Sequence, residues 1–172
     1  MSIVLVGLPG SGKTKLGRII AKDLGLDFVD LDEQIELDSG ATIPELFESG
    51  EAHFRDWEAR ILRESSDKMD AVISTGGGIV EREENRRLLE DSLVVFLDVD
   101  VEEAIRRASR STHRPLLAGG VAEKMRTLAD RRTPWYRQVA SISVKVDDRP
   151  AQENARRVIE AINEVAPEEI VK

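Results

Sequence analysis

A chain of 172 residues that is 41% apolar, only 4% aromatic and 34% charged has the size of one domain and must build its core from aliphatic side chains. Its net charge of −8 argues against nucleic acid or an anionic membrane as the main partner, because both reward a basic surface. The absence of cysteine excludes disulfides and thiolate metal centres.

No linker, repeat or low-complexity segment divides the chain, so a single domain over residues 1–172 is expected, with disorder confined to the last few residues, 166–172. The longest uncharged stretch, Met1 to Gly12, is shorter than the roughly 20 residues that a membrane-spanning helix needs. No basic leader or cleavage site precedes the first strand. These features lead us to expect a cytoplasmic protein, a monomer, with a small-molecule substrate and neither nucleic acid nor membrane as partner.

In chain order, an apolar strand at Ile3–Gly7 runs into "GLPGSGKT", followed by a helix over Thr14–Leu24. The spacing G-x-x-x-x-G-K-[ST], here Gly7, Gly12, Lys13 and Thr14, is that of a phosphate-binding loop. Glycines let successive backbone N–H groups from Gly10 and Ser11 through Gly12 to Lys15 turn toward an anion, and the helix adds the positive end of its dipole. Lys13 would reach the β- and γ-phosphates, and the Thr14 hydroxyl would face Mg²⁺.

A second strand, Phe28–Leu31, carries "DLD" at its end. Alternate residues of an extended segment point the same way, so Asp30 and Asp32 could face one site, Asp30 toward the water shell of a metal and Asp32 toward a substrate hydroxyl. Helix capping by one of them is the competing reading. Helical patterns follow at Asp32–Ser39, Ile43–Glu48 and Glu51–Ser65. In the last, Phe54, Trp57, Ile61 and Leu62 form an apolar stripe with Arg55 and Glu58 beside it, three apart and able to pair. An ordinary surface ion pair would explain them; a guanidinium beside the Phe54 ring also suits a small organic acid.

The third strand, Ala71–Ser74, ends in Gly76, Gly77 and Gly78. Three glycines in a row suggest close approach of a ligand or another backbone, with a hinge as the alternative. A helix at Glu83–Leu89, a strand at Val94–Asp98 and a helix at Val101–Ser109 lead into a basic region containing Arg106, Arg107, Arg110, Arg114, Arg126, Arg131, Arg132 and Arg137. Most of these arginines fit solvated helix faces, and two or three fit contacts to phosphate or carboxylate. "RPLLAGG" breaks the helices as a mobile lid over about residues 110–120 would. A helix over Val121–Trp135, a strand at Ser141–Val146 and a helix over Ala151–Val165 complete the chain. His53 and His113 show no ligand spacing, and the one metal expected is the ion that accompanies a nucleotide. Strands alternating with helices imply a parallel sheet with both faces covered. Ligands of such sheets gather at the carboxyl ends of the strands, so Gly7, Asp30, Asp32 and Gly76–Gly78 should converge.

Taken in order, "GLPGSGKT", "DLD", "GEAHFR", "GGG", "RPLL" and "RRTPWYR" resemble the bacterial shikimate kinase family over nearly the whole chain. The resemblance implies a three-layer α/β/α P-loop kinase fold of the nucleoside-monophosphate-kinase type, with a central five-stranded parallel sheet and a mobile lid. It implies ATP- and Mg²⁺-dependent phosphorylation of the 3-hydroxyl of shikimate, on the route to chorismate and the aromatic amino acids. It also implies that Asp32 holds the reacting hydroxyl, that Arg55 and Arg132 bind the substrate carboxylate with Phe54 alongside, and that Gly77 and Gly78 offer backbone N–H groups. Arg114 would close on the ATP phosphates, while Arg107, Arg149 and Pro150 would wall the adenine pocket. Competing readings are a kinase of the same fold acting on gluconate or a nucleoside monophosphate, and a nucleotide-binding regulatory module without turnover.

Overall fold

The computed structural model describes residues 2–67, 70–112 and 120–166. Arg114, His113, most of the expected lid and the tail at 167–172 lie outside the described residues. The elements run β1 (Ile3–Val6), α1 (Lys13–Leu24), β2 (Asp27–Asp30), α2 (Leu31–Ser39), α3 (Ile43–Glu48), α4 (Glu51–Ser66), β3 (Ala71–Ser74), α5 (Glu83–Leu89), β4 (Leu93–Val99), α6 (Val101–Thr112), α7 (Val121–Val139), β5 (Ile142–Val146) and α8 (Ala151–Val165). The five strands form one parallel sheet in the order β2-β3-β1-β4-β5. Two helices on one face and the remaining packed helices on the other make the three-layer α/β architecture.

The strand period of two sorts the core into two halves. From the central strand β1, Val4 and Val6 point to the face covered by α2, α4, α5 and α7, where Leu31, Ile35, Ile61, Leu62, Leu89 and Tyr136 are buried. Ile3 and Leu5 point to the opposite face, against Leu16 and Ile20 of α1 and Val158 and Ile162 of α8. All four residues of β1 are buried, as both faces of an inner parallel strand should be. β5 lies at the sheet edge, with Ile142, Val144 and Val146 inward and Ser143 and Lys145 exposed.

The element boundaries differ from the sequence expectation in two places that matter. β2 stops at Asp30 and Leu31 opens α2, so Asp32 stands in a first helical turn rather than on an extended segment. α7 runs past Pro134 to Val139, although proline removes a donor from the helix. Tyr136, fully buried and stacked on Phe96 at 5.3 Å, anchors the extra turn, and tertiary packing outweighs local propensity.

The close fit of α1 on the sheet depends on Gly17, where a Cβ would stand 2.6 Å from the Phe28 ring and 3.2 Å from Leu5 Cδ1. Gly17→Val is therefore expected to lower unfolding stability by about 1–3 kcal/mol, since branched bulk must displace Phe28 and Leu5. Denaturant unfolding measures this; an unchanged midpoint would contradict the packing described.

Candidate functional site

The strand-end residues do converge. The loop from Gly7 to Thr14 links β1 to α1, and Gly12, at φ 88°, forms the left-handed entry to the helix. The loop is pressed against α6: a Cβ on Gly10 would lie 2.6 Å from the Ala104 carbonyl oxygen. Lys13 arches back over the loop, its Nζ donating to the carbonyls of Gly7 (2.8 Å) and Leu8 (2.9 Å) and to Ser11 Oγ (3.3 Å). Burial pushes its pKa down to about 8, with Arg132 adding to the fall and the carboxylates of Asp32 and Asp30 opposing it. A cation held so, beside backbone N–H groups at a helix start, is equipped to neutralise a phosphate.

Asp30 serves two roles at once. Its Oδ1 accepts from the backbone N–H groups of Asp32 (3.0 Å) and Glu33 (3.3 Å), capping α2. Its Oδ2 accepts the Thr14 hydroxyl at 2.7 Å, and Ser74 Oγ lies 3.3 Å from the same hydroxyl. Two hydroxyls and a carboxylate are hard oxygen donors of the kind Mg²⁺ accepts while keeping several waters, so the residues fit that ion. Among the described residues no cluster of three or more His, Asp or Glu could by itself hold a metal.

Capping by Asp30 leaves the Asp32 side chain free to face the site. Burial and the neighbouring charge of Asp30 raise its pKa, against the pull of Lys13 and Arg55. The triple glycine lies directly opposite. A Cβ on Gly76 would stand 3.2 Å from Asp32 Oδ1 and 3.4 Å from Glu58 Oε1. One on Gly77 would stand 3.3 Å from Arg132 Nη1, and one on Gly78 2.4 Å from both terminal nitrogens of Arg55. All three glycines are thus approached closely, most tightly at Gly78 by Arg55 and at Gly77 by Pro9, whose Cδ would lie 2.7 Å from a Cβ.

Arg55 and Glu58 are buried, not a surface pair: Arg55 Nη1 donates to Glu58 Oε2 at 2.7 Å, with side-chain exposures of 8% and 1%. Glu51 accepts from Arg55 Nη2 at 3.3 Å. The guanidinium sits 5.2 Å from the Phe54 ring centre and 5.9 Å from that of Phe47, and the two rings stack at 4.4 Å. Burial raises the Glu58 pKa in spite of Arg55, and its Oε1 has no hydrogen-bond partner. Arg132, also buried, donates from Nε to Glu81 Oε1 at 2.7 Å, while the Tyr136 hydroxyl donates to the Gly77 carbonyl.

On the other side of the phosphate loop, a cavity of about 630 Å³ is walled by Lys15, Arg107, Arg149 and Asn154 together with loop residues Gly10, Ser11 and Gly12. Arg107 is fixed by Glu103 (2.9 Å) and by the carbonyl of Asp147. Pro150 is the N-cap residue of α8 and stands between Arg149 and Ala151, which both line the cavity. Sequence reading missed Glu81, Tyr136, Ser74 and Asn154. For two of them the signal was present: Tyr136 lies inside "RRTPWYR", and Glu81 follows the triple glycine by three residues. His53 is exposed on α4, as an incidental histidine would be. Among the described residues no helix is long and apolar enough to cross a membrane.

The sequence profile of the shikimate kinase family matches residues 9–163. A shikimate kinase of Marinomonas sp. (strain MWYL1) is 45% identical over 166 residues, 94% of this chain and 91% of the relative. One of Rhodococcus erythropolis is 42% identical over 148 residues, 85% of this chain and 88% of the relative. The structure of Acinetobacter baumannii shikimate kinase in complex with shikimate superposes with a TM-score of 0.88 at 38% identity, covering 95% of this chain and 93% of that one.

The depressed Lys13 pKa is directly measurable. By NMR of ¹³Cε-labelled lysine, one resonance should titrate near 8 instead of at the ordinary 10.5. A bound nucleotide triphosphate should move that midpoint up, because an opposite charge favours the ammonium form. A Lys13→Met variant, compared with the wild type, identifies the resonance; a normal midpoint for it would contradict the burial described.

Proposed function

The chain belongs to the shikimate kinase family, and we propose that it transfers the γ-phosphoryl group of ATP to the 3-hydroxyl of shikimate, giving shikimate 3-phosphate and ADP. The observation that carries this reading is the meeting of two sets of groups at the carboxyl ends of the strands. A phosphate loop with a buried lysine lies beside a cluster formed by Asp32, the buried Arg55 and Arg132 with their carboxylate partners Glu58 and Glu81, and side-chain-free backbone. Shikimate needs both sets: it bears hydroxyls for Asp32 and a carboxylate for an arginine fork. The relatives support shikimate over a gluconate-type acceptor.

On this reading Gly10, Ser11, Gly12, Lys13, Thr14 and Lys15 hold the ATP phosphates, and the cavity beside Arg107 and Arg149 takes the base. Arg55 and Arg132 bind the shikimate carboxylate, Phe54 backs the Arg55 guanidinium, and the N–H groups of Gly76, Gly77 and Gly78 meet the ring substituents. Asp32 orients the acceptor hydroxyl. That oxygen forms its bond to the γ-phosphorus as the bond to the β,γ-bridging oxygen breaks, and the hydroxyl proton passes to Asp32. A carboxylate whose pKa is raised by burial is a better match to that proton than an exposed one. Mg²⁺, held by Thr14 with Asp30 in its water shell, would offset charge on the β- and γ-phosphate oxygens. The protein otherwise supplies alignment and charge neutralisation, which is most of what phosphoryl transfer asks of it.

The two aspartates should fail differently. Asp32→Asn keeps shape and removes the base, so kcat should fall by about 10²–10⁴, toward the lower end for a loose transition state, with ATP binding retained. Asp30→Asn can still cap α2 and should mainly raise the Mg²⁺ concentration needed for half-maximal rate. Steady-state rates of both variants across a Mg²⁺ series check this. An Asp32→Asn enzyme with most of its kcat would remove Asp32 from the chemistry.

A further inference from the structure

The two site arginines are held by carboxylates in different ways. Arg55 is paired by Glu58 within its own helix. Arg132 is held from another element altogether, by Glu81, which follows the glycine loop by three residues. Glu81 closes the turn after that loop, its backbone N–H donating to the Gly78 carbonyl at 3.0 Å. Its side chain then reaches across to α7, where one oxygen, Oε1, accepts from both Arg132 Nε and Arg131 Nη2. Arg131 is half exposed and Arg132 buried, so the acceptor is gripped from the solvent side and from the site side together. Burial would raise the Glu81 pKa, but the hydrogen bonds from Arg132 and Arg131 outweigh it and hold the carboxyl below its usual range. One helical turn further along α7, the Tyr136 hydroxyl binds the Gly77 carbonyl.

We propose that Glu81 is a positioning residue for acceptor recognition: by occupying the Nε edge of Arg132 it aims the terminal nitrogens of that guanidinium at the glycine loop and the substrate carboxylate. This rests on the placement of shikimate argued above. A guanidinium can meet a carboxylate through its Nε–Nη2 side or through its two terminal nitrogens. With Nε engaged by Glu81, the terminal pair is the fork left for the substrate, and Nη1 already faces Gly77. Glu81 thereby ties the two acceptor-facing features, the loop backbone and Arg132, into one unit. A long side chain fixed before binding loses less freedom when the ligand arrives.

The test is steady-state kinetics of wild type, Glu81→Ala and Glu81→Gln, with KM measured separately for shikimate and ATP. Loss of pre-positioning should raise the shikimate KM of Glu81→Ala by about two- to tenfold, leaving kcat and the ATP KM near wild type. Glu81→Gln keeps an oxygen for Arg132 Nε and should recover most of the loss. An unchanged shikimate KM in Glu81→Ala overturns the proposal, as does a parallel rise in both KM values, which a general loss of structure would give. A lower shikimate KM in Glu81→Gln also overturns it, because Glu81 would then act as a charge competing with the substrate. If Glu81→Ala does not fold, Glu81→Asp, one methylene short of Arg132, takes its place with the same expected rise. Wild type that neither binds nor phosphorylates shikimate would overturn the functional reading together with this proposal. A silent Glu81→Ala beside an active wild type overturns only the proposal.

Discussion

Side chains from three helices, together with the ring of Pro9 from the phosphate loop, press against the backbone of Gly76, Gly77 and Gly78, where no Cβ holds them off. Asp32 comes from α2, Arg55 and Glu58 from α4 and Arg132 from α7; a Cβ on this loop would collide with Arg55 and crowd Asp32 and Arg132, with Glu58 in ordinary contact. The loop follows β3, which pairs with both β1 and β2. The carboxyl ends of these adjacent strands therefore carry the phosphate loop after β1, the aspartates after β2 and the glycines after β3. Strand order places the two substrates' binding groups side by side; the missing side chains let them come within reach of each other.

That closeness concentrates buried charge, which is costly unless paired. Breaking a buried pair by removing one partner typically costs about 3–5 kcal/mol, while the intact pair adds little net stability. Arg55–Glu58 and Arg132–Glu81 are thus better understood as devices that fix guanidinium orientation than as supports of the fold. Glu58 Oε1 is left without a partner close to where Gly76 faces Asp32. Buried polar atoms are rarely orphaned, so this acceptor marks polar capacity turned toward the site. Lys13, desolvated and bonded to its own loop, belongs to the same economy: its charge is strongly felt because water is excluded around it.

Much of this was legible in the sequence. The phosphate loop, the alternation of strands and helices and the placing of Asp30, Asp32 and the glycines at strand ends follow from local spacing and from the rule for parallel sheets. Arg55 and Glu58 were visible as a pair, but helical spacing alone does not distinguish an exposed pair from a buried one. Other features depend on contacts between distant segments. Asp30 divides its oxygens between the α2 cap and Thr14, which requires β2 to end one residue earlier than its apolar pattern. Glu81 reaches a helix fifty residues away, Tyr136 carries α7 through Pro134, and Gly17 sits in α1 for the sake of Phe28.

The central claim, that the pocket beside the phosphate loop selects a ring hydroxy acid as phosphoryl acceptor, is most directly tested by ADP release from ATP with single acceptors. Shikimate, gluconate and a nucleoside monophosphate would each be offered to the wild-type enzyme with Mg²⁺ present. ADP release should depend on shikimate, with one shikimate 3-phosphate formed per ADP, and should stay little above background with the other two. Nucleotide binding without shikimate-dependent ADP release, or faster release with gluconate, would contradict it.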